Sequence, residues 1–380
     1  MKKRFLALFL ALNLLFGVTA FAADRPGPPE LYAFGFQAPD EPVDKHHGSY
    51  AYRSLNSAEQ AIYDVLKEDF LQVAKGNRDS SSFTVDTTGL GITVNAKGEL
   101  VGVEVRKIMN AIRMDFPCEA YWQDKVNDRN KVYHWWDNGR NVYALRFDCP
   151  VLCEFAQSVP DANRYYLFKP DPEKIRPIAN IILNVREVVR RYSELSDYDK
   201  LSAYRDYLCD QVVYDHDAIK ISEADADFYS NSWQFVYAFD NDPKTNIVCE
   251  GYAKAFKYLC DQSQFDNEVE CCLVNGLVEG GPHMWNLVRI NGKSFMADIT
   301  WCDSDWGRAG DLFLAGTSST TGDGFAIPCF AQIHPVTGEY IPARTVHYTY
   351  WDETKELYDS AILTLESFRL LPSNFDLVKK

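Results

Sequence analysis

Cys249, His283 and Asp298 fall in the order and neighbourhood that acyl-transfer chemistry needs. A thiolate attacks an acyl carbon, an imidazole takes and returns the proton, and a carboxylate fixes the imidazole tautomer and stabilises its charged form. Cys249 opens the segment Cys249–Cys260, which reads as a helix with the thiol on its first residue. Ala253, Phe256 and Cys260 share the Cys249 face, so that face is expected to be buried. Free N–H groups and the positive end of the dipole favour a thiolate at a helix start. A lone cysteine there is more often a small buried hydrophobe. The runs His283–Ile290 and Lys293–Thr300 change that balance. They flank Asn291-Gly292, the strongest short hairpin signal, for a two-residue type I′ turn. The turn sets Ile290 opposite Lys293, Val288 opposite Phe295 and Trp285 opposite Asp298. His283 then shares a face with Asp298 as its diagonal neighbour, roughly 7–8 Å away at Cα. A slip of one residue sends Asp298 to the other face, so the turn and the acid–imidazole pair depend on each other.

The elements around these residues read as two units. Residues 1–23 carry a basic start (Lys2, Lys3, Arg4), an apolar run and Ala20-Phe21-Ala22, the pattern of a signal peptide with its cleavage site. In 24–170, Ser57 opens a helical pattern, Asp79 to Lys97 suggests short strands and turns, and Val101 to Ile112 marks a helix stopped by Pro117. Asp137-Asn138-Gly139 joins a hairpin of Lys131–Trp136 and Arg140–Phe147. Prolines 160, 170, 172 and 177 punctuate the passage to a second unit at about residue 170. It begins with two helical stripes, Ile178 to Val189 and Leu201 to Val212. This gives a signal peptide, an N-terminal α+β domain of unknown role (24–170), a catalytic core (171–331) and a C-terminal extension packing on the core (332–380).

Composition removes other classes. Hydrophobic residues make up 46% and charged residues 24%, as in globular chains. A net charge of −15, more negative still without the basic start, repels phosphate backbones, so no nucleic-acid partner is expected. After signal cleavage no membrane segment is expected, which suits a secreted or periplasmic protein. Cys149 and Cys153 are not a Cys-x-x-Cys pair, Cys271 and Cys272 are adjacent, and the seven histidines are scattered. No zinc or calcium pattern emerges, and no metal or cofactor is expected. Ten cysteines less one catalytic thiol leave an odd number, and few if any disulfides are expected.

Val248-Cys249-Glu250-Gly251-Tyr252-Ala253, His283-Met284-Trp285-Asn286 and Ala297-Asp298-Ile299-Thr300-Trp301 resemble the three motifs of the transglutaminase-like superfamily, in its bacterial secreted branch. The likeness takes in Tyr198-Asp199-Lys200-Leu201 and Val213-Tyr214-Asp215 and covers about residues 196–331. Leu312–Gly316 and His334 look like the closing segment of that family. Met114-Asp115-Phe116-Pro117 with Tyr121-Trp122 is similar to a motif found in the N-terminal regions of such proteins. Met284 stands where a small residue is usual, and Cys302 interrupts a usually acidic stretch before Asp303. The resemblance implies an α+β fold, a papain-like core preceded by a smaller α+β domain. It implies Cys249 as nucleophile, His283 as base and Asp298 as the group that orients it. Gln234 loosely matches a glutamine whose amide would complete an oxyanion hole with the Cys249 N–H, and Trp233 is the rival donor.

The expected activity is acyl transfer on a peptide or protein substrate through a thioester, with cell-envelope material among the candidates. Water as acceptor makes a peptidase or amidase, and a lysine amine makes a cross-linking transglutaminase. Hydrolysis is favoured because an exported chain works in abundant water. A non-catalytic binding module on the same fold is the third reading, against which the intact Cys249, His283 and Asp298 argue.

Overall fold

The computed structural model describes residues 49–117, 119–125, 133–157, 168–224, 233–242, 245–303, 310–333 and 337–379. The expected signal peptide, Cys118 and His334 lie outside them. The class is mixed α+β. After the short helix α1 (Tyr50–Arg53) comes α2 (Ser57–Ala74), whose start is fixed by a capping box. Asn56 Oδ1 accepts from the N–H groups of Ala58 and Glu59, both at 3.0 Å, and the Asn56 N–H donates to the Glu59 carboxylate at 2.8 Å. Strands β1 (Ser82–Asp86), β2 (Thr93–Val94) and β3 (Leu100–Val101) follow. Val101 belongs to β3, so α3 (Val105–Asp115) begins later than the apolar stripe suggested. The expected hairpin is β4 (Tyr133–Asp137) with β5 (Val142–Asp148), and β1 joins it in the order β1-β5-β4.

The stripe from Ile178 to Val189 forms two helices rather than one, α4 (Pro172–Ile182) and α5 (Asn184–Arg191). Pro177 within α4 removes one helical N–H. At the break the Asn184 amide donates to the Phe239 carbonyl at 2.8 Å. Helix α6 (Asp197–Gln211) is capped by Ser196, and α7 (His216–Ala224) leads toward α8 (Cys249–Asp261).

From here the chain builds the sheet that carries the site. In chain order come β6 (Val269–Val278), β7 (Gly281–Ile290), β8 (Lys293–Ala297), the short helix α9 (Ile299–Asp303), β9 (Thr320–Thr321) and β10 (Gly324–Cys329). A small pair, β11 (Gln332–Ile333) and β12 (Tyr340–Ile341), precedes β13 (Arg344–Tyr350) and the helices α10 (Asp352–Leu357) and α11 (Ser360–Leu363). Six strands form one antiparallel sheet in the order β8-β7-β6-β13-β10-β9. The C-terminal segment therefore does more than pack on the core. Its strand β13 lies inside the sheet, and a division at residue 331 cuts through it.

Gly276 on β6 is required by close approach. A Cβ there would lie 2.0 Å from the Thr349 carbonyl oxygen and 2.6 Å from the Trp285 ring. Its absence lets the Trp285 indole lie among Phe325, Tyr348 and Tyr350, with ring centroids 5.1–6.2 Å away.

The two units share one connected apolar core running from Tyr50 to Val378. Polar ties reinforce it. The buried Asp115 carboxylate at the end of α3 accepts from the N–H groups of Ala51 (3.1 Å) and Tyr52 (2.8 Å) and from the Tyr63 hydroxyl (2.9 Å). Burial pushes its pKa up to about 6, against the pull of Lys257 on α8 and these hydrogen bonds. Among the described residues, no helix is long and apolar enough to cross a membrane.

Candidate active site

Cys249 is the first residue of α8, as its sequence context suggested. The residue before it, Val248, has no side-chain oxygen and makes no capping bond, so the first N–H groups of the helix are not taken by a cap. The helix is held over the sheet by polar contacts as well as apolar ones. Asn286 on β7 donates to the Ala253 carbonyl at 2.9 Å, and the Lys257 ammonium donates to the Cys271 carbonyl on β6 at 2.9 Å. Glu250, next to the thiol, pairs with Lys254 at 2.6 Å and with Lys125 from the first unit. Burial would raise the Glu250 carboxyl, but the two ammonium groups prevail and hold it down at about 2.

The β7–β8 hairpin has the register its turn dictates: Ile290 opposite Lys293, Val288 opposite Phe295, Asn286 opposite Ala297. Asn291 and Gly292 take φ of 49° and 85°, the left-handed pair of a type I′ turn. The ladder ends at Ala297, where the chain turns into α9. The Asp298 N–H donates to the Leu312 carbonyl at 2.9 Å, which fixes the backbone at that corner.

His283 Nε2 lies 2.9 Å from Asp298 Oδ2. The Tyr348 hydroxyl on β13 donates to the same oxygen at 2.9 Å, and the Trp301 N–H donates to Oδ1 at 3.2 Å, so the carboxylate also caps α9. Asp298 is 0% exposed. With Nε2 engaged, Nδ1 is the ring nitrogen left for Cys249, whose sulfur acts on the ring electrostatically. Burial alone would lower the imidazole pKa. The Asp298 carboxylate and the Cys249 sulfur override it and raise the value from 6.5 to about 10.

The structure thus joins His283 and Asp298 by a hydrogen bond and brings the Cys249 sulfur close enough to act on the same ring. Gln234, expected on a surface if it had no role, is 1% exposed and precedes a 3₁₀ turn (Phe235–Ala238) that packs on α8, the Phe235 ring lying 5.1 Å from that of Tyr258. Trp233 is half-buried beside it. Tyr214 also lies close to Cys249: burial first, and then the Cys249 sulfur, raise the pKa of its phenol. Sequence reasoning noticed Tyr214 only as part of a motif and missed Tyr348. Tyr348 had a faint signal, the alternation Val346, Tyr348, Tyr350 of a strand with one buried face.

Among the described residues, no cluster of histidine, cysteine and carboxylate side chains could hold a metal ion. No protein-family model matches the chain, and no curated protein matches it.

Proposed function

We propose that the chain is a transglutaminase-like cysteine enzyme with a papain-like core, exported from the cell, that cleaves peptide or amide bonds through a thioester. The observation that carries this reading is the hydrogen bond of His283 to the buried Asp298 at 2.9 Å, with Cys249 at a helix start acting on the same ring. The Cys249 sulfur attacks the acyl carbon while the imidazolium holds the proton that the thiol gave up. His283 then passes that proton to the leaving amine, and the thioester remains. Water, deprotonated by the neutral imidazole, attacks the thioester and releases the acid. Asp298 keeps the ring oriented and offsets its charge in both steps. The raised pKa of His283 supports the charged resting state this sequence requires.

The experiment is capture with a thiol-reactive peptide probe and mass spectrometry of the labelled site, beside peptide-release and amine-incorporation assays on the same preparation. The expected result is label on Cys249 and peptide release that Cys249→Ala abolishes. Turnover surviving in Cys249→Ala would overturn the mechanism. Amine incorporation exceeding release would make the acceptor an amine.

A further inference from the structure

Tyr348 is a second donor to the very oxygen that His283 uses. Its place is fixed from both sides, since β13 pairs it with Val278 on β6 and with Phe325 on β10. Its ring stacks on Phe325 at 4.8 Å and meets the Trp285 indole edge-on at 5.1 Å. Trp285 in turn stacks with the His283 ring, 6.3 Å away. Packed in this way and 2% exposed, the phenol directs its O–H to Asp298 Oδ2 at 2.9 Å, where His283 Nε2 also stands at 2.9 Å. The other oxygen, Oδ1, accepts from the Trp301 N–H at 3.2 Å. Burial, and then the Asp298 charge, push the phenol pKa up, so it stays a protonated donor.

The phenol draws negative charge from Oδ2, and its positive hydrogen stands beside the imidazolium. Both effects loosen the ring's hold on its proton. We propose that Tyr348 is a positioning residue for His283: by sharing Asp298 Oδ2 with the imidazole, it keeps the ring's proton loose enough to be given up, a role that rests on the acyl-transfer reading above. Without the phenol, Oδ2 would turn its full charge to the ring. The imidazolium would then yield its proton to the leaving amine less readily as the C–N bond breaks, and fewer rings would be neutral when water must be deprotonated. The neighbouring titratable groups do not compete. Cys302 on α9 and Cys329 on β10 act on Tyr348, and Tyr214 feels Asp298; burial pushes all three upward, so they stay neutral. Arg205 and Arg369, which act on Cys302, keep their charge throughout. Asp298 and the Cys249 sulfur remain as the charges acting on the ring.

The experiment is a titration of the His283 ring by nitrogen NMR in protein labelled at histidine, with its signal assigned by its loss in His283→Gln. In Tyr348→Phe the midpoint is expected to lie above that of the unsubstituted protein, the proton being held about three- to tenfold more tightly. Tyr350→Phe is the control. It deletes a buried hydroxyl two residues along, which donates to the Leu363 carbonyl at 2.8 Å, and should lower stability while leaving the midpoint in place. Replacing Tyr348 by 3-fluorotyrosine, a stronger donor of nearly the same shape, should move the midpoint down. A midpoint that stays or falls in Tyr348→Phe, or rises as much in Tyr350→Phe, would overturn the proposal. So would a midpoint that 3-fluorotyrosine leaves in place or raises. The titration needs no turnover, so these results strike the role of Tyr348 alone. A Cys249 that reacts with thiol probes no faster than a free thiol strikes the acyl-transfer reading, and this role with it.

Discussion

Asp298 accepts hydrogen bonds from an imidazole, a phenol and a main-chain N–H in a fully buried position. Each partner stabilises the carboxylate in a site that would otherwise penalise its charge. Asp298→Asn keeps the shape but removes the charge, and turnover should fall by about 10²–10⁴. Tyr348→Phe leaves the imidazole pair in place. It should cost about 1–3 kcal/mol of stability and a smaller share of turnover, read from urea midpoints and steady-state rates. The pH dependence has a definite sign. A histidine at about 10 when folded and 6.5 when unfolded binds its proton more tightly in the folded chain. Its stabilising contribution is complete below pH 6.5 and is lost as pH rises through about 10. Urea midpoints between about pH 7 and about pH 10 should therefore fall more steeply in the unsubstituted protein than in His283→Gln.

The β7–β8 hairpin shows what a sequence can specify locally. Asn291-Gly292 admits essentially one tight turn, and the turn fixes the register as far as Asn286 opposite Ala297; the expected pairing of Trp285 with Asp298 lies past the end of the ladder, and the corner held by Leu312 completes the approach of Asp298 to His283. Helix α8 was equally readable, because its apolar stripe begins at Cys249. Tyr214 and Tyr348 were not, since their neighbours are set by tertiary pairing: a parallel bridge to Ile247, and a strand order that brings β13 next to β6. Local periodicity also missed the break between α4 and α5, where Asn184 turns to a carbonyl far along the chain. The clearance at Gly276 gives a test at this level. Gly276→Ala forces a methyl against the Thr349 carbonyl and the Trp285 ring, and the backbone oxygen has little room to yield. The expected cost is about 3 kcal/mol or more, seen as a large drop in the unfolding midpoint.

The proposed boundary near residue 170 is a change of architecture within one continuous core. Asp115 gathers α1 and α2 onto the end of α3 and sits in the field of Lys257, while Arg53 pairs with Glu270 on β6 at 3.2 Å and Lys125 with Glu250 on α8. A fragment beginning at residue 171 would bare the apolar surface that the first unit covers. Such a fragment should lack a cooperative thermal transition; a stable fragment with full turnover would show the first unit to be dispensable. Asp115→Ala leaves two main-chain N–H groups without their acceptor, and should cost about 2–4 kcal/mol in denaturant unfolding. None of these ties was visible beforehand, because each pairs residues whose separation only the finished fold closes.

The place of β13 also sets a timetable. The ribosome completes Cys249, His283 and Asp298 before it reaches the strand that joins β6 to β10. Until residues 344–350 emerge, those two strands keep open edges, and Asp298 lacks its phenol donor. The nascent chain therefore holds all three candidate groups while the sheet that surrounds them is unfinished. If the proposed activity holds, any product terminated or trimmed short of this strand lacks the phenol donor to Asp298 and should be inactive.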